Sequence, residues 1–96
     1  MTGKQRAYLR GEANSMNPVL QIGKDGITKA VIDQVEETIA SKELIKIRVL
    51  DNSLYGTKEA AHELADAIDA EVIQTIGSVI VLFKQDEEDS SYNLPS

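Results

Sequence analysis

Apolar positions along the chain recur in phased runs, separated by glycine, proline and polar clusters, and the phase of each run predicts an element. Thr2-Gly3-Lys4-Gln5 fits a capping box and predicts a helix with Thr2 as N-cap, running to about residue 14. Its apolar stripe (Ala7, Leu9 or Arg10, Ala13) is narrow, and Gly11 weakens it further. Asn17-Pro18 breaks the pattern, and residues 18–22 read as a short strand. Val31, Ile32, Val35 and Ile39 share one face of a second helix over 28–41, with Asp33, Glu36 and Glu37 turned away. Over 44–50, Ile45, Ile47 and Val49 alternate with Lys46 and Arg48, as in a half-buried strand. A polar loop at 51–56 carries Leu54 and Tyr55 as its large side chains, and Thr57 is the expected cap of a third helix running to about residue 69. Ala60, Ala61, Leu64, Ala65 and Ile68 form the stripe of that helix. Two strands, 71–76 and 79–83, flank Gly77-Ser78, a pair suited to a type II′ hairpin turn.

The order α-β-α-β-α-β-β puts helices between strands, which calls for parallel crossovers, and closes on an antiparallel hairpin. The fold class predicted is α/β, a two-layer sandwich with a four-stranded mixed sheet. From residue 86 the composition turns acidic and polar, so the domain is expected over residues 1–85 and a disordered acidic tail over 86–96.

Composition adds limits. A chain of 96 residues, 42% hydrophobic, builds one small core. It has no cysteine, hence no disulfide framework, and no apolar run of signal-peptide or membrane-spanning length. A soluble, cytoplasmic, monomeric protein without membrane association is expected. The net charge of −6 argues against indiscriminate binding of nucleic acid, but the charge is unevenly spread. Residues 1–30 carry a balance of +3, residues 49–96 a balance of −8, and residues 1–85 together −2. Such poles suggest a basic binding face on an acidic body.

Enzymatic chemistry finds little support. The single histidine, His62, stands on a helix among Lys58, Glu59 and Asp66, without further groups at metal-ligand spacing and without a G-x-S-x-G nucleophile elbow in the chain. The carboxylate runs read as solvated helix faces and a solubilising tail. No catalytic residue, metal or cofactor is assigned.

The segment that combines a special backbone with positive charge is Gly23-Lys24-Asp25-Gly26, between the first strand and the second helix. It lacks the G-x-x-x-x-G-K-[ST] of a P-loop and the G-x-G-x-x-G of a dinucleotide site. It can be no more than a tight turn with Gly26 at positive φ. It also matches the GxxG loop with which KH modules clamp a nucleic-acid backbone. The free amides at the start of the second helix, Lys24 and Lys29 would add positive charge beside it. Arg6 and Arg10, one helical turn apart, and Lys46 and Arg48, on one strand face, could extend the patch, with Lys4 on another side of the first helix. The chain has no tryptophan, and its few aromatics (Tyr8, Tyr55, Tyr92, Phe83) do not suggest a stacking sheet, so recognition of backbone and shape is expected.

Several ordered segments then agree with one family. Lys4-Gln5-Arg6-x-x-Leu9-Arg10, Pro18-Val19-x-x-Ile22-Gly23-Lys24-Asp25-Gly26-Ile27-Thr28, Glu43-Leu44-Ile45-Lys46-Ile47, Gln74-x-Ile76-Gly77 and Val81-Leu82-Phe83 together resemble the CRM domain in its stand-alone bacterial YhbY-like form, over about residues 2–84. The resemblance implies a fold similar to the C-terminal domain of translation initiation factor three. It implies RNA as partner, bound through the GxxG loop and adjacent basic surface, and association with large-subunit ribosomal RNA or its precursor in a pre-ribosomal particle, in ribosome assembly. Carried over by position, the RNA-binding residues are Gly23, Lys24, Asp25, Gly26 and Lys29, with Lys4, Arg6, Arg10, Lys46 and Arg48 in support. Asp25 departs from a purely basic loop: it points away, caps the following helix, or faces the RNA at a cost in affinity. The alternative function is a protein-interaction module that docks on a ribosomal protein through its acidic half.

Overall fold

Thr2 opens the first helix in the way its sequence suggests. Its hydroxyl accepts the Gln5 amide at 3.1 Å, and the Gln5 side chain accepts the Thr2 amide at 3.1 Å, a complete capping box. The computed structural model describes residues 1–51 and 56–96. Within them the order is α1 (Gly3–Ala13), β1 (Leu20–Ile22), α2 (Lys29–Lys42), β2 (Leu44–Val49), α3 (Thr57–Ile68), β3 (Glu71–Ile76) and β4 (Val79–Phe83). Leu54 and Tyr55 lie outside the described residues. The expected cap Thr57 is already the first residue of α3. Gly56 precedes it as N-cap without a side-chain bond, and Glu59 supplies negative charge in the first turn.

The sheet runs β1-β2-β4-β3, with β1 parallel to β2 and β4 antiparallel to both its neighbours. Gly77 takes φ 56 between the paired residues Ile76 and Val79, giving the first central residue of the hairpin the positive φ that a type II′ turn needs. Between Val72 and Gln74 the β3–β4 register shifts. This bulge twists an edge strand and turns Ile73 into a buried cluster.

Strand alternation divides the core in two. Ile45, Ile47, Val49, Ile80 and Leu82 face Val35 and Ile39 of α2 and Leu64 and Ile68 of α3. Leu44, Val81 and Phe83 face the other way, where Leu9 and Ala13 of α1 close a smaller cluster with Ile73. The expected two layers are therefore three: α2 and α3, the sheet, and α1 on the opposite face. The narrow stripe of α1 suits this place, because two buried side chains cover one end of the sheet and leave the other end open.

Residues 86–96, expected as a disordered tail, carry no helix or strand but lie against the domain. Tyr92 meets Phe83 edge-on at 5.6 Å and 87°, Leu94 joins the smaller cluster, and the Gln5 side-chain Nε2 donates to the Pro95 carbonyl. Glu43 anchors the segment. It is buried at φ 65, and its carboxylate accepts the amides of Asp86 and Ser91 and the Ser90 hydroxyl at 3.0, 2.7 and 2.6 Å. Burial pushes this carboxyl up, but the three donors outweigh burial and hold it below the usual glutamate range.

Candidate nucleic-acid interface

Where β1 ends, the chain turns back on itself within four residues. The Gly26 amide donates to the Gly23 carbonyl at 3.1 Å, and Gly26 is buried at φ 70, a conformation costly for any residue with a Cβ. Gly23 differs. Its φ is not positive, and a Cβ placed on it would meet nothing within 4 Å. Lys24 and Asp25 form the two exposed corners of the turn.

Thr28 caps α2, its Oγ1 accepting the Val31 amide at 3.2 Å. That leaves Asp25 without the capping role; its carboxylate is exposed, with no hydrogen bond among the described residues. The amides of Lys29 and Ala30, in the first turn of α2, find no acceptor among the described residues and emerge beside the turn. Lys29 itself pairs with Asp33 at 3.2 Å, one turn along α2; both side chains are strongly exposed, so the pair is weak and readily exchanged.

The sheet register sets the remaining cations. Ile22 pairs with Val49 and Gln21 with Arg48, so Arg48 stands beside the strand that leads into the turn. Arg48 is exposed and, like Lys24, has no partner among the described residues. Lys46 projects from the same face, half-buried, with its ammonium donating to the Met16 carbonyl at 2.9 Å. It fastens the α1–β1 connection to the sheet. Arg10, half-buried in the last turn of α1, is also unpaired among the described residues and complements the helix dipole there.

Arg6 is drawn elsewhere. Its guanidinium donates to the Val72 carbonyl and pairs with Glu71 at 3.3 Å. Glu71 pairs with Phe83 and Phe83 with Leu44, which places Arg6 at the end of the sheet opposite the turn. Lys4, exposed in the first turn of α1, belongs with Arg6 rather than with the turn. The structure thus gathers Gly23, Lys24, Asp25, Gly26, Lys29 and Arg48 at one end, sets Lys46 behind them, and leaves Arg6 and Lys4 remote.

Three residues that the sequence did not single out share the row of Arg48. Gln21 pairs with Arg48, Arg48 with Val79, and Val79 with Ile76, so one residue from each strand crosses the sheet at the turn end. Strand register alone reveals this row. Asp33, Glu36, Glu37, Glu59 and Asp66 are all exposed on α2 and α3, so these carboxylates and Arg48 lie on opposite sides of the sheet. His62 is exposed on α3 and lines a shallow depression with Arg6, Asp66 and Glu71. Among the described residues no group of three or more histidines or carboxylates is placed to hold a metal ion, and no helix is long and apolar enough to cross a membrane.

A GxxG turn between a strand and a capped helix, on a small mixed α/β sheet, defines a class of compact α/β domains. Within that class the chain belongs to the CRS1 / YhbY (CRM) domain family, whose pattern matches residues 1–84. It is 37% identical over 95 residues to the probable RNA-binding protein YqeI of Bacillus subtilis, covering 99% of each chain. It is 31% identical over 88 residues to an RNA-binding protein of Haemophilus influenzae, covering 92% of this chain and 89% of that one. Its fold matches the solution structure of the Staphylococcus aureus protein SAV1595 with a TM-score of 0.84 and 42% identity over 99% of both chains. These two curated relatives carry names of RNA-binding proteins rather than of enzymes.

Proposed function

We propose that this chain is a non-enzymatic RNA-binding protein that holds the ribose–phosphate backbone at the Gly23–Gly26 turn. The observation that carries the reading is the state of that end of the molecule. Amides of Lys29 and Ala30, an open Gly23 surface and the cations Lys24 and Arg48, all without partners among the described residues, converge there. Backbone amides at a helix start bind phosphate oxygens, and nearby cations add affinity by releasing counterions. Arg10 and Lys46 extend the cationic side, while Asp25 faces solvent and lowers affinity for RNA. The relatives' names support RNA as the partner. The family resemblance supports large-subunit ribosomal RNA or its precursor as the RNA, and assembly of the cytoplasmic large subunit as the setting.

Replacing Lys24 and Arg10 together with alanine weakens binding to ribosomal RNA fragments and flattens the salt dependence of log K by roughly one unit per lost phosphate contact. Unchanged binding across a salt series, with the fold intact by circular dichroism, rules the assignment out. The acidic outer surfaces of α2 and α3 favour a second reading, docking on a basic ribosomal protein. Failure of the purified protein to shift naked ribosomal RNA, together with capture of such a protein, decides for that reading.

A further inference from the structure

Among the described residues, the face of the sheet that carries α1 is covered at one end only. At the far end Leu44, Val81 and Phe83 are buried beneath α1. Moving toward the GxxG turn, Lys46 and Gln74 are half-buried, and in the last row Gln21, Arg48 and Ile76 are exposed and Val79 half-buried, with no helix or strand among the described residues over them. Ile76 is 60% exposed and Val19, next to β1, is 40% exposed. Apart from Met1, these are the large hydrophobic residues that the described surface exposes, and both stand at or near this row. The row is about 14 Å across, from strand spacings near 4.8 Å. Four-stranded sheets of similar width carry two or three stacked bases in other RNA-binding modules.

The chemistry of the row selects an occupant. A paired A-form helix offers a protein mainly phosphates and 2′-hydroxyls, which would use Arg48 but leave Ile76 and Val79 against water or sugar edges. Unpaired nucleotides offer flat apolar faces, edges with donors and acceptors, and a phosphate chain. An unpartnered guanidinium can stack on a base or bind a phosphate. Gln21 and Gln74 can each donate to and accept from base edges, and the branched side chains of Val79 and Ile76 pack under a base face. The two rows from Lys46 to Gln74 and from Gln21 to Ile76 hold two cations and no carboxylate.

Resting on the RNA reading of the turn, we propose that the open row Gln21–Arg48–Val79–Ile76 is a second binding surface, which seats unpaired nucleotides flanking the backbone held at Gly23–Gly26. The protein therefore prefers a helix junction, a bulge or a helix with an unpaired tail over continuous duplex. Its sheet contributes through an arginine and aliphatic side chains, the buried Phe83 and half-buried Tyr92 being packed together at the other end.

The test measures affinity for an RNA hairpin bearing a short unpaired tail and for the same hairpin with a blunt end. The wild-type chain binds the tailed hairpin about tenfold more tightly, the scale of one or two stacked bases. Ile76→Ser removes most of that preference and leaves the blunt hairpin unaffected. Val79→Thr, which preserves shape and strand propensity, lowers the preference while guarding against a folding defect. Lys24→Ala weakens both hairpins alike. Equal wild-type affinity for the two RNAs, or an Ile76→Ser variant that retains the full preference, overturns the proposal while leaving the turn assignment standing. A wild-type chain that binds neither hairpin removes the underlying RNA reading. An Ile76-dependent dimer with no tail preference assigns the row to a second copy instead.

Discussion

Gly23 and Gly26 look interchangeable in a GxxG motif, yet the structure gives them opposite physical roles, and alanine separates them. Gly26 is buried at φ 70 and its amide closes the turn onto the Gly23 carbonyl. Holding alanine in the left-handed region costs about 1–2 kcal/mol. For a domain of this size each kcal/mol moves the thermal midpoint by about 4–8 °C, so Gly26→Ala lowers it by about 5–15 °C. Gly23 has no positive φ, and its Cβ would meet nothing within 4 Å. Gly23→Ala leaves the midpoint unchanged or raises it slightly, because alanine restricts the unfolded chain by about 0.4–1 kcal/mol. In the proposed binding mode the space that Cβ enters is where a phosphate would approach the backbone, so RNA affinity is expected to fall about tenfold, or 1.4 kcal/mol. Thermal melts by circular dichroism and titration of a ribosomal RNA fragment by fluorescence anisotropy give both quantities. A Gly23→Ala variant that melts as early as Gly26→Ala, or that binds RNA like the wild type, refutes the separation of roles.

Other expectations follow from single groups. The Glu43 carboxyl is held below the usual range, so its stabilising bonds to residues 86–91 persist above the unfolded-state glutamate pKa and are lost as pH falls through the lower folded value. The Ser91 amide resonance, followed by NMR, should titrate below the normal glutamate range, and Glu43→Gln should abolish that titration and cost about 2 kcal/mol; titration of Ser91 in the normal range contradicts this. Arg6→Ala should lower stability by about 1 kcal/mol through its bonds to Val72 and Glu71 and leave RNA affinity nearly unchanged, whereas Lys24→Ala should do the reverse. Ile47 is fully buried in β2, and Ile47→Ala should cost about 2–5 kcal/mol in chemical denaturation; a loss under 1 kcal/mol would mean that the core collapses around the missing atoms.

Much of this arrangement was legible in the residues themselves. The α3 stripe from Ala60 to Ile68, the alternation of β2 and the Gly77-Ser78 hairpin were readable because period and turn chemistry are local properties. The side of the sheet chosen by α1 was not, because Leu9 and Ala13 name a stripe but not the surface that receives it. The same gap misplaced Arg6. Helical spacing put it on one face with Arg10, but only the tertiary fold sets Glu71 and the Val72 carbonyl in its reach. Residues 86–96 read as a tail because four consecutive acids dominate their composition. Their docking depends on Tyr92, Leu94 and a carboxylate more than forty positions earlier in the chain. The Arg48 row was equally hidden, since a strand pattern fixes facing but not register.

These placements distribute the basic residues by the work the fold asks of them. At the far end of the sheet Arg6 is engaged with a carbonyl and a carboxylate, and in the middle Lys46 is engaged with the Met16 carbonyl. Both are already engaged by acceptors of the fold, so their charge is less available to a ligand. At the turn end Lys24 and Arg48 neutralise nothing among the described residues, and Arg48 stands on the side of the sheet away from the acidic surfaces of α2 and α3. In a chain of net charge −6, attraction to those carboxylates would be the natural resting state for a free cation. For Arg48 the sheet prevents it by lying between them, and the register of β2 fixes that guanidinium beside Gln21 and Val79. A local positive field on an acidic protein can then admit one geometry of polyanion while the rest of the surface repels it. That makes the acidic total charge a source of selectivity for a correctly placed RNA backbone rather than an argument against binding it.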